Sequence, residues 1–287
     1  MGGNEEVPRQ GRSRIWAIAG IGLCALCLQA CLFGQGGRDA ESPDDSDWEW
    51  QHYLGDPGRT HYSPLAQINE SNVDQLEVVW TYDTGPPESG LSQIQCNPIV
   101  VGGVLYGTTA RGHVFALDAA TGRPRWRFDP TEYEGLAGGI SRGVLYWEGS
   151  VKGAANARIL ASSGPYLWAL EARTGRPIPS FGDGGRVDLR EGLAHAGSGG
   201  DVSSPTPGVV FENRWIVGTK VGETAGAAPG DIRAFDVVTG ERLWTFRTIP
   251  RENEFGAGTW PDDAWKTAGG ANAWAGATLD ERRGIVF

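Results

Sequence analysis

The sequence predicts an all-β protein built as part of a β-propeller, and three observations support this: its composition, a repeated segment and the spacing of the repeats. The 287 residues include 44 glycines, 12 tryptophans and a single methionine. An interior glycine costs a helix about 1 kcal/mol relative to alanine, so this composition disfavours a helical bundle. It favours short strands joined by tight turns.

The repeated segment consists of an apolar strand, an acidic residue and a Thr-Gly turn. Its three copies are Val114–Trp126, Leu167–Pro177 and Ile232–Trp244. Glycine supplies the positive φ of a tight turn, and the acidic side chain can accept hydrogen bonds from the N–H groups of that turn. The first and third copies continue to a tryptophan, which the middle copy lacks. Such a tryptophan can pack between neighbouring sheets.

The spacing of the copies indicates the size of the repeating unit. Their glycines stand at positions 122, 175 and 240. These intervals suit four-stranded blades with loops of unequal length, and radial closure would protect their edges. The prediction is therefore a propeller, of which residues 48–287 form about half of an eight-bladed ring.

Charge and histidine content exclude other classes of partner and site. The chain has 25 Lys and Arg against 35 Asp and Glu, a formal charge of −10, and contains no basic run. Nucleic acid is excluded as a partner, because phosphate binding needs clustered Lys and Arg. The four histidines show no metal-ligand spacing, and we interpret each as an ordinary surface or turn residue.

The N-terminal residues 1–30 are predicted to be a lipoprotein-type signal peptide. Three arginines precede an apolar stretch from Ile15 to Phe33, and Leu28–Cys31 resembles a lipobox. Cleavage before Cys31 would leave this cysteine lipidated, with 31–47 as an acidic flexible tether. An uncleaved anchor is an alternative, because the apolar stretch is long enough to span a bilayer, and a signal cut elsewhere is another. All three readings predict export to the periplasmic side, and the favoured one predicts membrane attachment through lipid.

The repeat, written AxDxxTGxxxW, resembles the tryptophan-docking motif of the quinoprotein dehydrogenases. That family consists of eight-bladed propellers that bind pyrroloquinoline quinone (PQQ) with a divalent cation, usually Ca²⁺. The opening segments Tyr53–Leu65 and Val79–Gly85 strengthen the resemblance. Alcohol-oxidising members carry two adjacent cysteines where this chain has Leu136 and Ala137, so it is more similar to the glucose and polyol branch. Trp147, however, stands where the membrane glucose enzyme has histidine.

The resemblance implies roles for several residues in PQQ binding. Arg142 would pair with a carboxylate of the quinone, and Trp274 would form the floor beneath its ring, although a surface arginine and another inter-blade tryptophan are the alternatives. Asn272 would line the same pocket. Ser204 and Gln95 match positions that hydrogen-bond the cofactor in relatives.

The resemblance also implies a metal ligand. Glu223 lies five residues after Gly218, the spacing of a Ca²⁺-binding glutamate in alcohol-oxidising relatives. A hard cation prefers carboxylate oxygen. The neighbouring residues differ from the family pattern, so an ordinary solvated loop acid is the alternative for Glu223.

The function implied is oxidation of an alcohol, polyol or sugar hydroxyl, with electrons passing to ubiquinone or a cytochrome. The aspartate that serves as the base in relatives falls beyond Phe287, so no catalytic residue is assigned. We expect the chain to be the front part of such an enzyme and inactive alone. The alternative is a non-catalytic propeller lipoprotein that resembles the outer-membrane protein assembly lipoprotein.

Overall fold

The structure is a computed structural model that describes residues 49–85, 93–133, 139–195 and 202–287. The predicted signal peptide, Cys31 and the acidic tether lie outside the described residues, as do Leu136 and Ala137. Among the residues described, no helix has the length and apolar character needed to cross a bilayer.

The chain folds into successive antiparallel sheets, each of which is a simple up-and-down meander. Blade 1 contains β1 (Ile99–Val101), β2 (Val104–Thr108), β3 (Val114–Asp118) and β4 (Pro124–Phe128). Blade 2 contains β5 (Leu145–Val151), β6 (Ala154–Ser163), β7 (Tyr166–Glu171) and β8 (Arg186–Asp188). Blade 3 contains β9 (Val209–Phe211), β10 (Arg214–Val217), β11 (Ile232–Asp236) and β12 (Arg242–Phe246). A two-stranded sheet follows, β13 (Leu279–Asp280) and β14 (Ile285–Val286).

Short 3₁₀ helices occur in the connecting segments of the described chain. They span Val73–Gln75, Pro130–Glu132, Ala257–Thr259 and Ala264–Lys266. The predicted all-β class is confirmed, and each predicted repeat forms the third strand of a blade and the turn after it.

The hydrophobic core lies in the interfaces between consecutive blades, which we call seams. The seam between blades 1 and 2 buries Ile99, Phe128 and Trp168. The seam between blades 2 and 3 is a separate cluster around Phe181 and Trp215. A third cluster packs blade 3 against Leu279 of the two-stranded sheet. The sheets are therefore held face to face by apolar contacts, as a propeller requires.

Docking tryptophans pack on the Thr-Gly turn of the blade that follows them in the chain, and one of them, Trp126, reinforces the seam between blades 1 and 2. A Cβ placed on Gly175 would lie 2.4 Å from the Trp126 ring, and Trp126 Nε1 donates a hydrogen bond of 2.9 Å to Ala172 O. Trp80 packs on Gly122 in the same way, since a Cβ there would lie 2.6 Å from its ring. Gly175 has φ +71°, so the turn needs glycine for its backbone and for the close approach of the ring.

The middle repeat lacks a tryptophan, and a turn of the main chain replaces it. Gly182, in the loop before β8, donates its backbone N–H to Thr239 O at 2.8 Å. Val187 packs beside the Gly240 Cα, where an added Cβ would lie 2.8 Å from the valine side chain. At this turn, the contact between blades 2 and 3 is thus made by backbone and aliphatic groups.

Candidate functional site

The candidate site is built from the segments that precede the first strand of each blade. These inner segments are hydrogen-bonded to one another in chain order. Asn97 N donates to Arg142 O at 2.8 Å, and Arg142 N donates to Pro205 O at 2.8 Å. Thr206 Oγ1 donates to Trp274 O at 3.2 Å. Residues far apart in the sequence are therefore held side by side by the main chain.

Arg142 and Trp274 converge at this inner ring. The Arg142 guanidinium carbon lies 5.1 Å from the Trp274 ring centroid, and Nη1 donates to Trp274 O at 3.5 Å. The indole remains 42% exposed, so part of its flat surface is accessible. The arrangement offers a cation beside an open aromatic plane, which suits a flat ligand that carries negative charge.

The backbone at Gly143 positions Arg142. A Cβ on Gly143 would lie 2.8 Å from Asn97 O and 2.9 Å from the Tyr53 ring. Tyr53 is buried, and burial raises the pKa of its hydroxyl, although the charges of Arg59 and Arg142 oppose that rise. Tyr53 therefore stays neutral and forms a packed support for the segment that carries Arg142.

Glu223 and Asn272 are also brought together. Asn272 Nδ2 lies 3.5 Å from Glu223 Oε1 and 3.5 Å from Val221 O. Gly230 N donates to Gly270 O at 2.7 Å, and a Cβ on Gly230 would lie 2.4 Å from Asn272 Cα. Glycines thus allow the loop that carries Glu223 to run directly beside the segment that leads to Trp274.

The remaining two predicted cofactor-binding residues, Ser204 and Gln95, also lie on the inner segments. Ser204 is 2% exposed, and its hydroxyl lies 2.9 Å from Gly218 O and 3.0 Å from Thr206 O, so its hydrogen is engaged by the main chain. Gln95 is half-buried and donates from Nε2 to Gln93 Oε1 at 3.0 Å. It stands two residues before Asn97 on the segment that adjoins Arg142.

Sequence reasoning missed two threonines next to the site. Thr206 bonds the carbonyl of Trp274, as described above. Thr219 follows Gly218 and is fully buried, and its hydroxyl has no hydrogen-bond partner in the structure. A Cβ on Gly218 would lie 2.4 Å from Ala273 O, which places Thr219 next to the segment of Asn272 and Trp274. A buried, unpaired hydroxyl here is available to a bound group.

One histidine differs from its predicted environment. His113 is 5% exposed, with Nε2 3.2 Å from Asp129 Oδ1 and Nδ1 beside Arg127, so the expectation of a surface or turn residue is wrong for it. Its neighbours in blade 1 explain its burial. Over the described ranges, no three His, Cys, Asp or Glu side chains cluster as metal ligands.

A cavity of about 210 Å³ lies elsewhere, next to the opening segment of the propeller. Its walls include Tyr53, Arg59, Trp147 and Leu279, and none of the predicted site residues lines it. The cavity does not coincide with the group around Arg142 and Trp274, and the chemistry of that group makes it the better candidate site.

Residues 50–287 match the family described as "PQQ: Glucose/ethanol/alcohol dehydrogenase, beta-propeller domain". The chain belongs to this family. The predicted quinoprotein family and the propeller class are therefore confirmed. As a member of the PQQ propeller family, the chain is expected to share its cofactor class, and the inner ring is the place to test for it.

Individual relatives agree with this assignment. The chain is 30% identical over 271 residues to quinoprotein glucose dehydrogenase A of Acinetobacter calcoaceticus, covering 85% of this chain and 33% of that protein. It is 31% identical over 259 residues to the glycerol dehydrogenase large subunit of Gluconobacter oxydans (strain 621H), covering 86% and 34%. The chain spans about a third of the length of the curated relatives it matches.

Solved structures show the same fold. The quinohemoprotein alcohol dehydrogenase ADHIIG from Pseudomonas putida HK5 has a TM-score of 0.64 at 25% identity, covering 83% of this chain and 34% of that one. The quinohemoprotein alcohol dehydrogenase from Comamonas testosteroni has a TM-score of 0.55 at 27% identity, covering 75% and 28%. Two quinohemoprotein alcohol dehydrogenases thus share this arrangement of blades.

Proposed function

We propose that this chain forms part of a PQQ-dependent dehydrogenase that oxidises an alcohol, polyol or sugar hydroxyl. The observation that carries the proposal is the contact between Arg142 and Trp274, which come from different blades and meet at the inner ring. Their family-derived roles require this proximity. The scaffold alternative explains the blades equally well but gives no purpose to an exposed indole beside a guanidinium.

The residues at the inner ring fit the chemistry of PQQ, a flat ring system with carboxylates. The exposed part of the Trp274 indole provides a stacking surface, and the Arg142 guanidinium can hold a carboxylate through two parallel hydrogen bonds. The unpaired hydroxyl of Thr219 adds a hydrogen-bonding group nearby. Gln95 is a more distant candidate, and Ser204 acts through its bonds to the backbone of the site.

Oxygen donors suited to a divalent cation such as Ca²⁺ lie beside this surface. The Glu223 carboxylate and the side-chain amide of Asn272 are adjacent, and both can present oxygen. They supply two ligands, so the remaining ligands would come from water, the cofactor or other parts of the protein. We assign Glu223 and Asn272 as the residues of this chain that would hold the cation.

When bound, PQQ supplies the two-electron oxidising chemistry, with the cation as Lewis acid. In this chain, Trp274 would stack on the cofactor and Arg142 would bind one of its carboxylates, and the Gly143 contacts keep Arg142 in place. We assign no proton transfer to the described residues. Ubiquinone or a cytochrome is the proposed acceptor of the electrons.

The test is PQQ binding by the full chain in the presence of Ca²⁺, followed through quenching of tryptophan fluorescence. We expect Trp274→Ala to weaken binding about tenfold, because a stacking surface is lost. Arg142→Gln should weaken it about tenfold to a hundredfold, because a charge-assisted pair is lost. Trp244→Ala is the matched control, since Trp244 is also 40% exposed but lies on β12.

The result that would overturn the proposal is equal PQQ affinity in the wild type and in both site variants. Absence of saturable binding by the wild-type chain would contradict it as well. Weakening by Trp244→Ala to the same extent as by Trp274→Ala would show that quenching reports non-specific adsorption.

We further propose that the protein is exported and attached to the membrane through lipid at Cys31, on the periplasmic side. The support is the sequence of residues 1–31: an arginine-containing start, an apolar stretch and a lipobox-like end. Metabolic labelling with a fatty acid should tag the wild type, and Cys31→Ser should abolish the label. Labelling that persists in Cys31→Ser would refute lipidation at this residue.

A further inference from the structure

A buried arginine in blade 3 has hydrogen-bond donors that no group in the structure satisfies. Arg233, on β11, is 1% exposed, and its Nε and Nη2 atoms have no hydrogen-bond partner. Its Nη1 atom reaches only Glu191 O, at 3.5 Å. Nε and Nη2 form one edge of the guanidinium, the edge that binds both oxygens of a carboxylate or two oxygens of a phosphate.

Three more arginines surround this position. Arg242, Arg247 and Arg251 line a small cavity of about 70 Å³ together with Thr245 and residues of the neighbouring loops. Arg233 is paired directly with Thr245 across the two strands, so both side chains lie on the same face of the sheet. Arg242 Nη1 reaches the same carbonyl as Arg233, Glu191 O, at 3.3 Å. Arg233 does not line the cavity itself, but these contacts place it directly behind Thr245 and Arg242, which do.

The nearby acidic groups neutralise the cluster only in part. Glu254 is bound to Arg247 at 2.6 Å, and Asp188 is bound to Arg190 at 2.7 Å. Asp231 lines the cavity together with the arginines; it is buried, burial raises the pKa of its carboxyl, and it accepts a hydrogen bond from Thr248 N at 3.3 Å. Across the part of the chain that the structure describes, Arg233, Arg242 and Arg251 form no ion pair with a carboxylate. The formal charge of the whole chain is −10, which makes this positive cavity exceptional.

The four arginines at this cavity outnumber the two carboxylates beside them, Asp231 and Glu254. Burial lowers the pKa of Arg233 to about 10, with the charge of Arg242 adding to the effect and Asp231 opposing it. Arg233 is still cationic at neutral pH. A buried cation without a full set of partners is costly, and a bound anion would relieve that cost.

We propose that this cavity is a binding site for a small oxyanion, a carboxylate or phosphate group held by the free edge of Arg233 and by Arg242 and Arg251. A volume of about 70 Å³ accommodates one such group rather than a whole cofactor. Trp265 also lines the cavity, with the Arg251 guanidinium 5.3 Å from its ring centroid. An anionic group attached to a larger molecule could therefore enter with its remainder against the indole.

The test is thermal unfolding of the full chain in phosphate, acetate or chloride at equal ionic strength and pH 7. Phosphate or acetate should raise Tm in a saturable manner, since a ligand that binds only the folded state stabilises it. Whichever anion acts at lower concentration identifies the chemical class. Arg233→Met should weaken binding at least tenfold, because it removes the buried fork without removing its bulk.

Controls separate specific binding from general screening. Arg251→Gln, at the exposed rim, should weaken binding severalfold without disturbing the core, and it decides the question if Arg233→Met does not fold. Arg214→Gln removes one positive charge from a surface pair with Glu212 in the same blade and should leave the anion response unchanged. The proposal is overturned if no saturable shift occurs in the wild type, if Arg251→Gln responds like the wild type, or if Arg214→Gln weakens the response as much as Arg251→Gln does.

Discussion

The two seams between complete blades are held together at their Thr-Gly turns by different groups. Between blades 1 and 2, the Trp126 ring covers Gly175 and its N–H binds Ala172 O. Between blades 2 and 3, the Gly182 N–H binds Thr239 O, and Phe181 is fully buried nearby. The Thr-Gly turn is the constant partner, and the group that packs on it can be an indole or a turn of main chain. The turn therefore defines the repeat better than the tryptophan does.

The largest expected effect comes from the seam that lacks a docking tryptophan. Phe181→Ala should lower the free energy of unfolding by about 3–5 kcal/mol, because it empties a fully buried site beside Trp215. Urea unfolding measures this. A loss below about 1 kcal/mol would show that this seam depends on the Gly182 hydrogen bond rather than on aromatic packing.

A smaller effect is expected at the seam that has the tryptophan. Trp126→Ala should cost about 2–3 kcal/mol, since the ring is only partly buried but also loses its hydrogen bond and its contact with Tyr106. The same urea titration applies. If this loss exceeds that of Phe181→Ala, the ranking of the two seams is reversed, and the Trp126 indole contributes more to the free energy of unfolding than Phe181 does.

The turns themselves can be compared through their acidic residues. Asp236 Oδ1 accepts hydrogen bonds from Val238 N at 2.9 Å and Thr239 N at 2.7 Å, whereas the longer Glu171 binds the Thr174 hydroxyl and pairs with the exposed Arg173 at 3.6 Å. Asp236→Ala should therefore cost about 1 kcal/mol and Glu171→Ala less than about 0.5 kcal/mol. Equal losses in chemical denaturation would show that the backbone bonds of Asp236 add no stability.

The smallest effect is expected for Trp244, which occupies the docking position of blade 3. It is 40% exposed, and the described chain contains no further Thr-Gly turn to receive it. Trp244→Ala should change the free energy of unfolding by less than about 0.5 kcal/mol. A loss as large as that of Trp126→Ala would mean that these tryptophans stabilise their own sheet rather than the next one.

Local features of the fold were predictable from the sequence because they depend on local chemistry. The three repeats marked the third strand and turn of each blade, since the Asp side chains and the glycines act within a few residues. The group that replaces the missing tryptophan of the middle repeat was not predictable. Gly182 reaches Thr239 only through packing of two blades, and no spacing in the sequence encodes it.

The site was predictable only through the family resemblance. Arg142 and Trp274 are separated by 132 positions, and their contact depends on the inner segments being joined in order. Their proximity agrees with the predicted roles, and those roles await the binding experiment. Two buried contacts were not predicted from the sequence. No residue next to His113 in the sequence indicates its contact with Asp129, and the hydrogen bond of the Ser204 hydroxyl depends on Gly218, 14 positions further along the chain.

Gly143 links the folding of the propeller to what it can bind. Its Cα packs against Asn97 O and the Tyr53 ring, so any larger residue there would push the neighbouring arginine away from the indole. If PQQ binds here as proposed, its affinity would be set partly by an atom that never touches it.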